Sequence, residues 1–494
     1  MTGGSYLLGI DIGTYSSKGV LVTEEGRIVA SSSAEHELSM PRPGWAEHDP
    51  ESVWWAELRS IVKTLLGSAA GVPRRISAIA VSTISPAVVA VGDDGRALRP
   101  AILYGIDTRA SREIQELSSA YRLELDTQSA APKVLWIRRN EPEVWARTRR
   151  IVNGSGYLTL RLTGEATLDV YDATIFEPLF DTDRLAWSEE ASRTIAPVEM
   201  MPRVTWTAET AGQVTEEAAR ETGLAAGTPV ITGTADAAAE SVSAGLSRPG
   251  DMMVMYGSST FFILKTESLF TPKGFWGTRF LEEGSYVVAG GTATAGSLTR
   301  WFRDNLAPAQ MDYAALAELA GRAPAGSNGL VALPYFSGER TPLQDPEARG
   351  MIFGLTLRHT RGDVYRALLE SVGYSIRHNI EALEAQGCQP QRILAVGGGT
   401  RNPLWMQIVS DIAGITQEVP AEQMGASYGD AFLAGIGGGV FSGTKDVGRW
   451  VRPGVTYTPD AGAHAAFAGP YAIYRDLYEA TASSMHALGK ITRP

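Results

Sequence analysis

The sequence predicts an α/β protein built from two similar domains. Three observations carry this. The chain has 494 residues, 44% of them apolar and 20% charged, which is too long for one ordinary core and too apolar for disorder. Short apolar runs bounded by turn residues alternate with amphipathic stretches, the pattern of strands and helices in an α/β layer. Finally, an apolar strand, a hydroxyl-rich tip and a second apolar strand occur near Gly13 and again near Gly257, half a chain-length later. A spacing of that size points to a repeated domain. The expected division is residues 1–246 and residues 247–494, the second ending in a helix.

The first hairpin is Leu7-Leu8-Gly9-Ile10-Asp11-Ile12, then Gly13-Thr14-Tyr15-Ser16-Ser17-Lys18, then Gly19-Val20-Leu21-Val22. Its tip displays a carboxylate, hydroxyls and an ammonium, a mixture that suits a phosphate chain with a metal ion. An ordinary polar hairpin would read the same way. Asp49 then has the chemistry of an N-cap, with Pro50 at the first helical position. Trp54, Leu58, Ile61, Val62 and Leu65 recur at helical spacing, so residues 49–66 are expected to be an amphipathic helix. Pro73-Arg74-Arg75 precedes an expected strand at 76–84, and another follows at 88–91. The stretch 103–109 is extended and enters a helix at 110–117, and 133–140 reads as helix.

Residues 228–236 form a strand that runs into a loop and delivers Asp236 to the start of a small-residue helix, 237–244. In α/β sheets ligands bind at that edge. Asp is also a favoured cap, so Asp236 is either a cap or a catalyst on this ground alone. The second hairpin, residues 251–264, has the tip Tyr256-Gly257-Ser258-Ser259-Thr260. A third element is the strand 392–396, the turn Gly397-Gly398-Gly399, and a helix with Asn402 as N-cap, Pro403 at its first position and Gly414 at its end. These glycines let backbone approach a flat or anionic ligand, or pack a tight turn on its neighbours. Residues 425–435 form a small-faced helix suited to close packing.

Several classes are excluded or disfavoured. The net charge is −11, from 44 basic and 55 acidic side chains, which argues against bulk binding to nucleic acid or an anionic membrane. The one cysteine, Cys388, allows no internal disulfide and no thiolate metal cluster. The longest uncharged run, 76–92, is too short and polar for a membrane span. Gly438 to Lys445 fails as a P-loop, because Thr444 separates the last glycine from the lysine and a helix precedes it. The six histidines lack metal-ligand spacing. A cytoplasmic location is expected.

The order of these motifs resembles the FGGY carbohydrate kinase family, within the actin-like and hexokinase-like (ribonuclease H-like) ATPases. The resemblance runs over about residues 6–440. Asp11-Ile12-Gly13-Thr14 with Lys18 is similar to the family's first phosphate motif. Residues 133–140 are similar to the second half of its N-domain pattern, from whose first half Gln128 and Ala130 depart. Gly350-Met351-Ile352-Phe353-Gly354-Leu355, Asp363-Val364 and residues 367–370 are similar to the C-domain pattern, with Leu368 the departure. The resemblance implies two actin/hexokinase-like domains with ATP and sugar in the cleft between them. The reaction it implies is transfer of the γ-phosphoryl group to a sugar or polyol hydroxyl, assisted by Mg²⁺.

Site residues follow from the same resemblance. It implies Asp236 as general base and Asp11 as the metal-site aspartate, acting through water. Thr14, Ser17 and Lys18 are implied on the γ-phosphate side, and Ser258 on the β-phosphate hairpin. Gly296 and Arg300 are implied near the ribose and phosphates, and Gly398 and Asn402 at the adenine. For the sugar it implies Ser82, Thr83, Asp107 and Asp236. Ser82-Thr83-Ile84-Ser85-Pro86 stands where many members carry a Gln- or His-containing tetrapeptide. Of the family's Trp-x-Asp-x-Arg, Asp107 and Arg109 are kept, Gly105 replaces the tryptophan, and Tyr104 stands beside it. Pro334-Tyr335-Phe336-Ser337-Gly338-Glu339-Arg340-Thr341-Pro342 and Gly44-Trp45-Ala46-Glu47 are most similar to xylulose kinases. A ketopentose, D-xylulose first, is therefore the expected substrate. The alternatives are ribulose, gluconate, glycerol or a hexulose. From another class, an actin-like scaffold or a sugar-sensing protein without turnover is the competing reading, against which the retained Asp236 argues. The tail after Trp450 is expected to pack back on the C-terminal half or to form the contact of a homodimer.

Overall fold

The computed structural model describes residues 5–68 and 75–492. Pro73 and Arg74 of the expected strand entry lie outside them. The chain forms two compact units. The first is Met1–Ser243 with Arg279–Ser285 and Met424–Trp450. The second is Ala244–Thr278, Tyr286–Gln423 and Val451–Pro494. Two contiguous halves divided at 246/247 were expected. The first division falls close by, but each unit is assembled from several chain segments.

In chain order the first unit begins with β1 (Tyr6–Ile12), β2 (Ser16–Thr23) and β3 (Ile28–Glu35). Helix α1 (Ala56–Leu66) is entered through a wider π turn, Pro50–Trp55. Asp49 caps that entry, its carboxylate accepting from the amides of Glu51 and Ser52. The widened turn leaves both Trp54 and Trp55 buried. Strand β4 (Ile76–Thr83) and helix α2 (Ala131–Asn140) follow. Then come β5 (Thr210–Gln213), β6 (Pro229–Ile231), β7 (Thr234–Ala235) and helix α3 (Asp236–Ser243). The second unit has β8 (Asp251–Tyr256), β9 (Thr260–Thr266), β10 (Trp276–Arg279) and β11 (Tyr286–Thr292). It continues with α4 (Gly296–Leu306), α5 (Arg361–Glu384), β12 (Arg392–Val396), α6 (Pro403–Ala413) and β13 (Gln417–Pro420). Helix α7 (Ala426–Gly437) returns to the first unit, and β14 (Pro453–Tyr457) and α8 (Ala461–Thr492) complete the second.

The two sheets share one plan. The first runs β3-β2-β1-β4-β6-β5, with β7 also on β4; the second runs β10-β11-β9-β8-β12-β13-β14. In each, a leading hairpin (β1–β2, β8–β9) pairs antiparallel with a third strand. The leading strand then pairs parallel with a later strand, that strand parallel with the next, and an antiparallel strand follows. The repeat read from the two hairpins is therefore a repeat of whole sheets, as in the actin/hexokinase-like fold.

Register does the positioning. Asp11 lies opposite Lys18 across the hairpin and opposite Ser82 on the parallel side. Ser82 in turn lies opposite Thr234, two residues before Asp236. Helix α7 covers this sheet at very short range. A Cβ at Gly9 would overlap the Ser427 carbonyl oxygen and the Ala431 amide, and a Cβ at Gly429 would overlap the Ala239 carbonyl oxygen. Only glycine at both places lets backbone meet backbone. The C-terminal helix α8 packs back on its own unit: Phe467, Tyr471, Tyr474 and Met485 join the core of β8, β12, α5 and α6. The Tyr335 hydroxyl donates to that of Tyr474 at 2.8 Å.

The glycine contact yields a stability test. Gly9→Ala should destabilise by at least the about 1–3 kcal/mol typical of overpacking. Gly448→Ala, at a site where a Cβ meets nothing within 4 Å, should melt like the wild type. Thermal denaturation followed by circular dichroism compares them.

Candidate active site

In the first unit the strand ends bring a set of carboxylates together. Asp236 opens α3 and is partly exposed. Its Oδ1 accepts from the Ala237 amide at 2.7 Å, while Oδ2 has no hydrogen-bond partner among the described residues. It is thus a cap through one oxygen and free through the other. Burial pushes its carboxyl up to about 7, against the Ala237 amide and with help from the Glu240 charge. Asp11 is buried, and burial raises it well above the carboxylate range, with Asp236 and Glu240 adding and Lys18 and Ser82 opposing. Glu240 is raised by burial too, against Lys18 and the Ala426 amide. Asp236 also bears on Tyr104, Tyr171, Asp172 and Asp430.

Asp430, from α7, completes the group. It is fully buried. Its Oδ2 accepts from the Ser82 hydroxyl at 2.6 Å, and the same hydroxyl reaches Asp11 Oδ1 at 3.4 Å. Sequence reading missed it, although it is the only charged residue in the otherwise apolar α7. Thr14 meets the Tyr104 hydroxyl at 2.7 Å. Lys18 is exposed on its strand.

Other expected residues stand elsewhere. Ser17 is fully buried and donates to Glu57 Oε2 at 2.5 Å, where the His36 ring also bonds at 2.9 Å. Successive strand residues face opposite sides, so Ser17 cannot share the exposed side of Lys18. Thr83 is fully buried too, bonding to the Ile84 carbonyl at 3.3 Å and packing on Gly154. The Ser82 hydroxyl is committed to Asp430. Asp107 is 2% exposed, and its oxygens accept from the Ala46 amide and from Arg109 at 2.7 Å each. The Arg109 guanidinium lies 3.9 Å from the Trp45 ring centroid. Asp107 therefore holds the Gly44–Glu47 loop in place and offers no free oxygen. Gln128, a departure from the family pattern, accepts from the Gly105 amide at 3.2 Å.

In the second unit the hairpin tip docks on a helix start. The Ser258 carbonyl accepts from the amides of Ala295 at 2.8 Å and Ser297 at 2.9 Å, and the Gly257 carbonyl from Gly296 at 2.9 Å. A Cβ at Gly296 would stand 2.6 Å from the Gly257 oxygen, so glycine is required there. Arg300 Nη2 donates to the exposed Ser258 hydroxyl at 3.2 Å. Ser258 and Arg300 thus stand together as donors suited to phosphate oxygens, on a turn that Gly296 closes. At the end of β12, Gly397 has φ 89° against Tyr256. Gly398 is exposed, with open space where a Cβ would be. Asn402 accepts from the Trp405 amide at 3.2 Å and starts α6 after the turn. Bare backbone beside a capped helix suits a flat ring.

Among the described residues no group of three or more His, Cys, Asp and Glu side chains is arranged to hold a metal ion. No helix among them is long and apolar enough to cross a membrane.

Sequence models of the N-terminal and C-terminal domains of the FGGY family of carbohydrate kinases match residues 6–243 and 252–438. A xylulose kinase of Lactococcus lactis is 29% identical over 98% of this chain and 98% of its own. A glycerol kinase of Beutenbergia cavernae is 30% identical over 90% of this chain and 91% of its own. The crystal structure of a xylulose kinase from Rhodospirillum rubrum superimposes with a TM-score of 0.90 at 34% identity, covering 97% of this chain and all of that one.

The opposite faces of Ser17 and Lys18 separate in experiment. Ser17→Ala, which strips a buried hydrogen bond from a carboxylate, should cost about 1–3 kcal/mol of stability and leave nucleotide affinity within about twofold. Lys18→Ala should melt like the wild type. Melting curves and calorimetric titration of both variants check this.

Proposed function

This chain belongs to the FGGY family of carbohydrate kinases, and we propose that within it the substrate is a ketopentose, D-xylulose first. The chain is an ATP-dependent sugar kinase. The xylulose reading is supported by likeness to proteins of that name along nearly the whole chain, in sequence and in structure. A second reading, glycerol or another small polyol, draws support from the glycerol kinase relative. It also draws on Ser82, Thr83 and Asp107, whose polar atoms are already bonded within the protein.

In this reading Asp236 Oδ2 takes the proton of the attacking sugar hydroxyl as its oxygen bonds to the γ-phosphorus and ADP leaves. Such a base contributes about 10²–10⁴ in rate. Lys18 and the Thr14 hydroxyl hold the γ-phosphoryl oxygens. Ser258, Gly296 and Arg300 hold the remaining phosphates and ribose, and Gly398 and Asn402 the adenine. Alignment and charge stabilisation by these donors supply most of the rest. Ser17 acts at a distance, by fixing β2 on Glu57.

Mg²⁺ is assigned to Asp11. The donor set fits: Asp11 is a hard carboxylate near the end of β1 that would hold the ion with few other protein ligands beside it, as suits a Mg²⁺ that keeps several waters. When bound, the ion offsets charge on the transferring phosphoryl group. We place the enzyme in the cytoplasm, where ATP and free sugar are supplied together.

Coupled ADP-release assays over D-xylulose, D-ribulose, gluconate and glycerol decide the substrate. The highest kcat/KM is expected on D-xylulose; a higher value on glycerol selects the second reading. Asp236 sets the pH dependence. Its carboxyl is raised, so it holds a proton below about pH 7 and cannot accept another. The sugar kcat/KM should therefore fall as pH drops through that value. Asp236→Asn should lose about 10²–10⁴ in kcat and keep ATP affinity, measured by steady-state kinetics and calorimetry.

A further inference from the structure

The Ser82 hydroxyl has one hydrogen and two carboxylates beside it. Asp430 Oδ2 lies at 2.6 Å and Asp11 Oδ1 at 3.4 Å. The first is a short hydrogen bond and the second is at the limit of bonding, so the hydrogen goes to Asp430. Asp430 has no partner outside Ser82 among the described residues, and its Oδ1 is buried without any. Such an atom costs about 1–3 kcal/mol or more. Packing does not require it, because Ala431, Phe432, Leu433 and Ala434 beside it form an apolar run. Nor can Asp430 withdraw, since Gly9 and Gly429 lock α7 against the sheet and α3.

We propose that Asp430 is a positioning residue for Asp11. It draws off the Ser82 hydrogen, so the Asp11 carboxylate keeps its lone pairs for its own ligand. This rests on the assignment of Mg²⁺ to Asp11. With Asp430 gone, the Ser82 hydroxyl turns to Asp11 and occupies the oxygen that the ion or its water uses. Ser82 is then harmful only when Asp430 is missing, and that reversal is the signature of the role.

The test is binding, without turnover. ADP affinity is measured by calorimetry with and without Mg²⁺, and the ratio is the metal-dependent gain. Asp430→Ala should reduce the gain about tenfold, the size of one hydrogen bond to a charged group. Adding Ser82→Ala to that variant should restore it to within about threefold of wild type, whereas damage to the fold would deepen. Asp430→Asn keeps an acceptor for Ser82 and the side-chain volume, so it should retain the gain and answers the case in which the alanine variant folds poorly. An unchanged gain in Asp430→Ala, or a double variant no better than the single with both melting like wild type, overturns the role of Asp430. A normal gain in Asp11→Asn overturns the metal assignment and this inference with it; a lost gain there beside an unchanged Asp430→Ala overturns the inference alone.

Discussion

The absence of a side chain at residue 9 is the constraint on which the first unit depends. It allows α7 to lie with its backbone against β1, and Gly429 repeats the device against α3. One helix therefore touches both the strand that carries Asp11 and the helix that begins with Asp236. Two further bonds fasten the same segment: the Tyr428 hydroxyl donates to the Gly26 carbonyl at 2.8 Å, and the Trp450 indole to the Glu24 carbonyl at 2.9 Å. Distances set by backbone contact are stiff, because no rotamer can absorb a displacement.

Buried charge is treated in two ways in this protein. Away from the site, three buried carboxylates are matched to arginine: Asp107 to Arg109, Glu370 to Arg366, Asp251 to Arg392. At the site Asp11, Asp236, Glu240 and Asp430 lie among one another, and Lys18 is the one cation that tempers Asp11 and Glu240. A fold optimised for stability alone would not gather them. An acidic cluster left undercompensated is ready for a cation and for a proton, and the proposed assignment uses both.

Much of this was legible in the sequence where the chemistry is local. The two hairpins, the Asn402-Pro403 helix start, Gly414 at its end and Asp236 at a strand-to-helix junction each follow from a few neighbouring residues. The repeat followed from comparing two such stretches, and the sheets bear it out. Long-range assembly was not legible. Ser82 and Asp430 bond across 348 positions of chain, and no local pattern announces that α7 belongs with β1. Ser17 is a different case. Strand alternation alone forbids it from sharing a face with Lys18, so the family motif pointed one way and the period of the strand the other. Asp107 shows a similar tension: the motif marks it for the sugar, and in the structure its oxygens are bonded to Ala46 and Arg109.

The segmented make-up of the first unit has a consequence for how the molecule is made. A ribosome delivers the strands of its sheet early, yet the helix that covers β1 and β4 arrives only with residues 424–450. Until then the growing chain carries an uncovered apolar sheet face. The second unit waits as well, for the aromatic side of α8. Both units thus depend on segments beyond residue 423, although one is begun long before the other. No single cut in the gene separates the two units, because each is assembled from several segments of the chain.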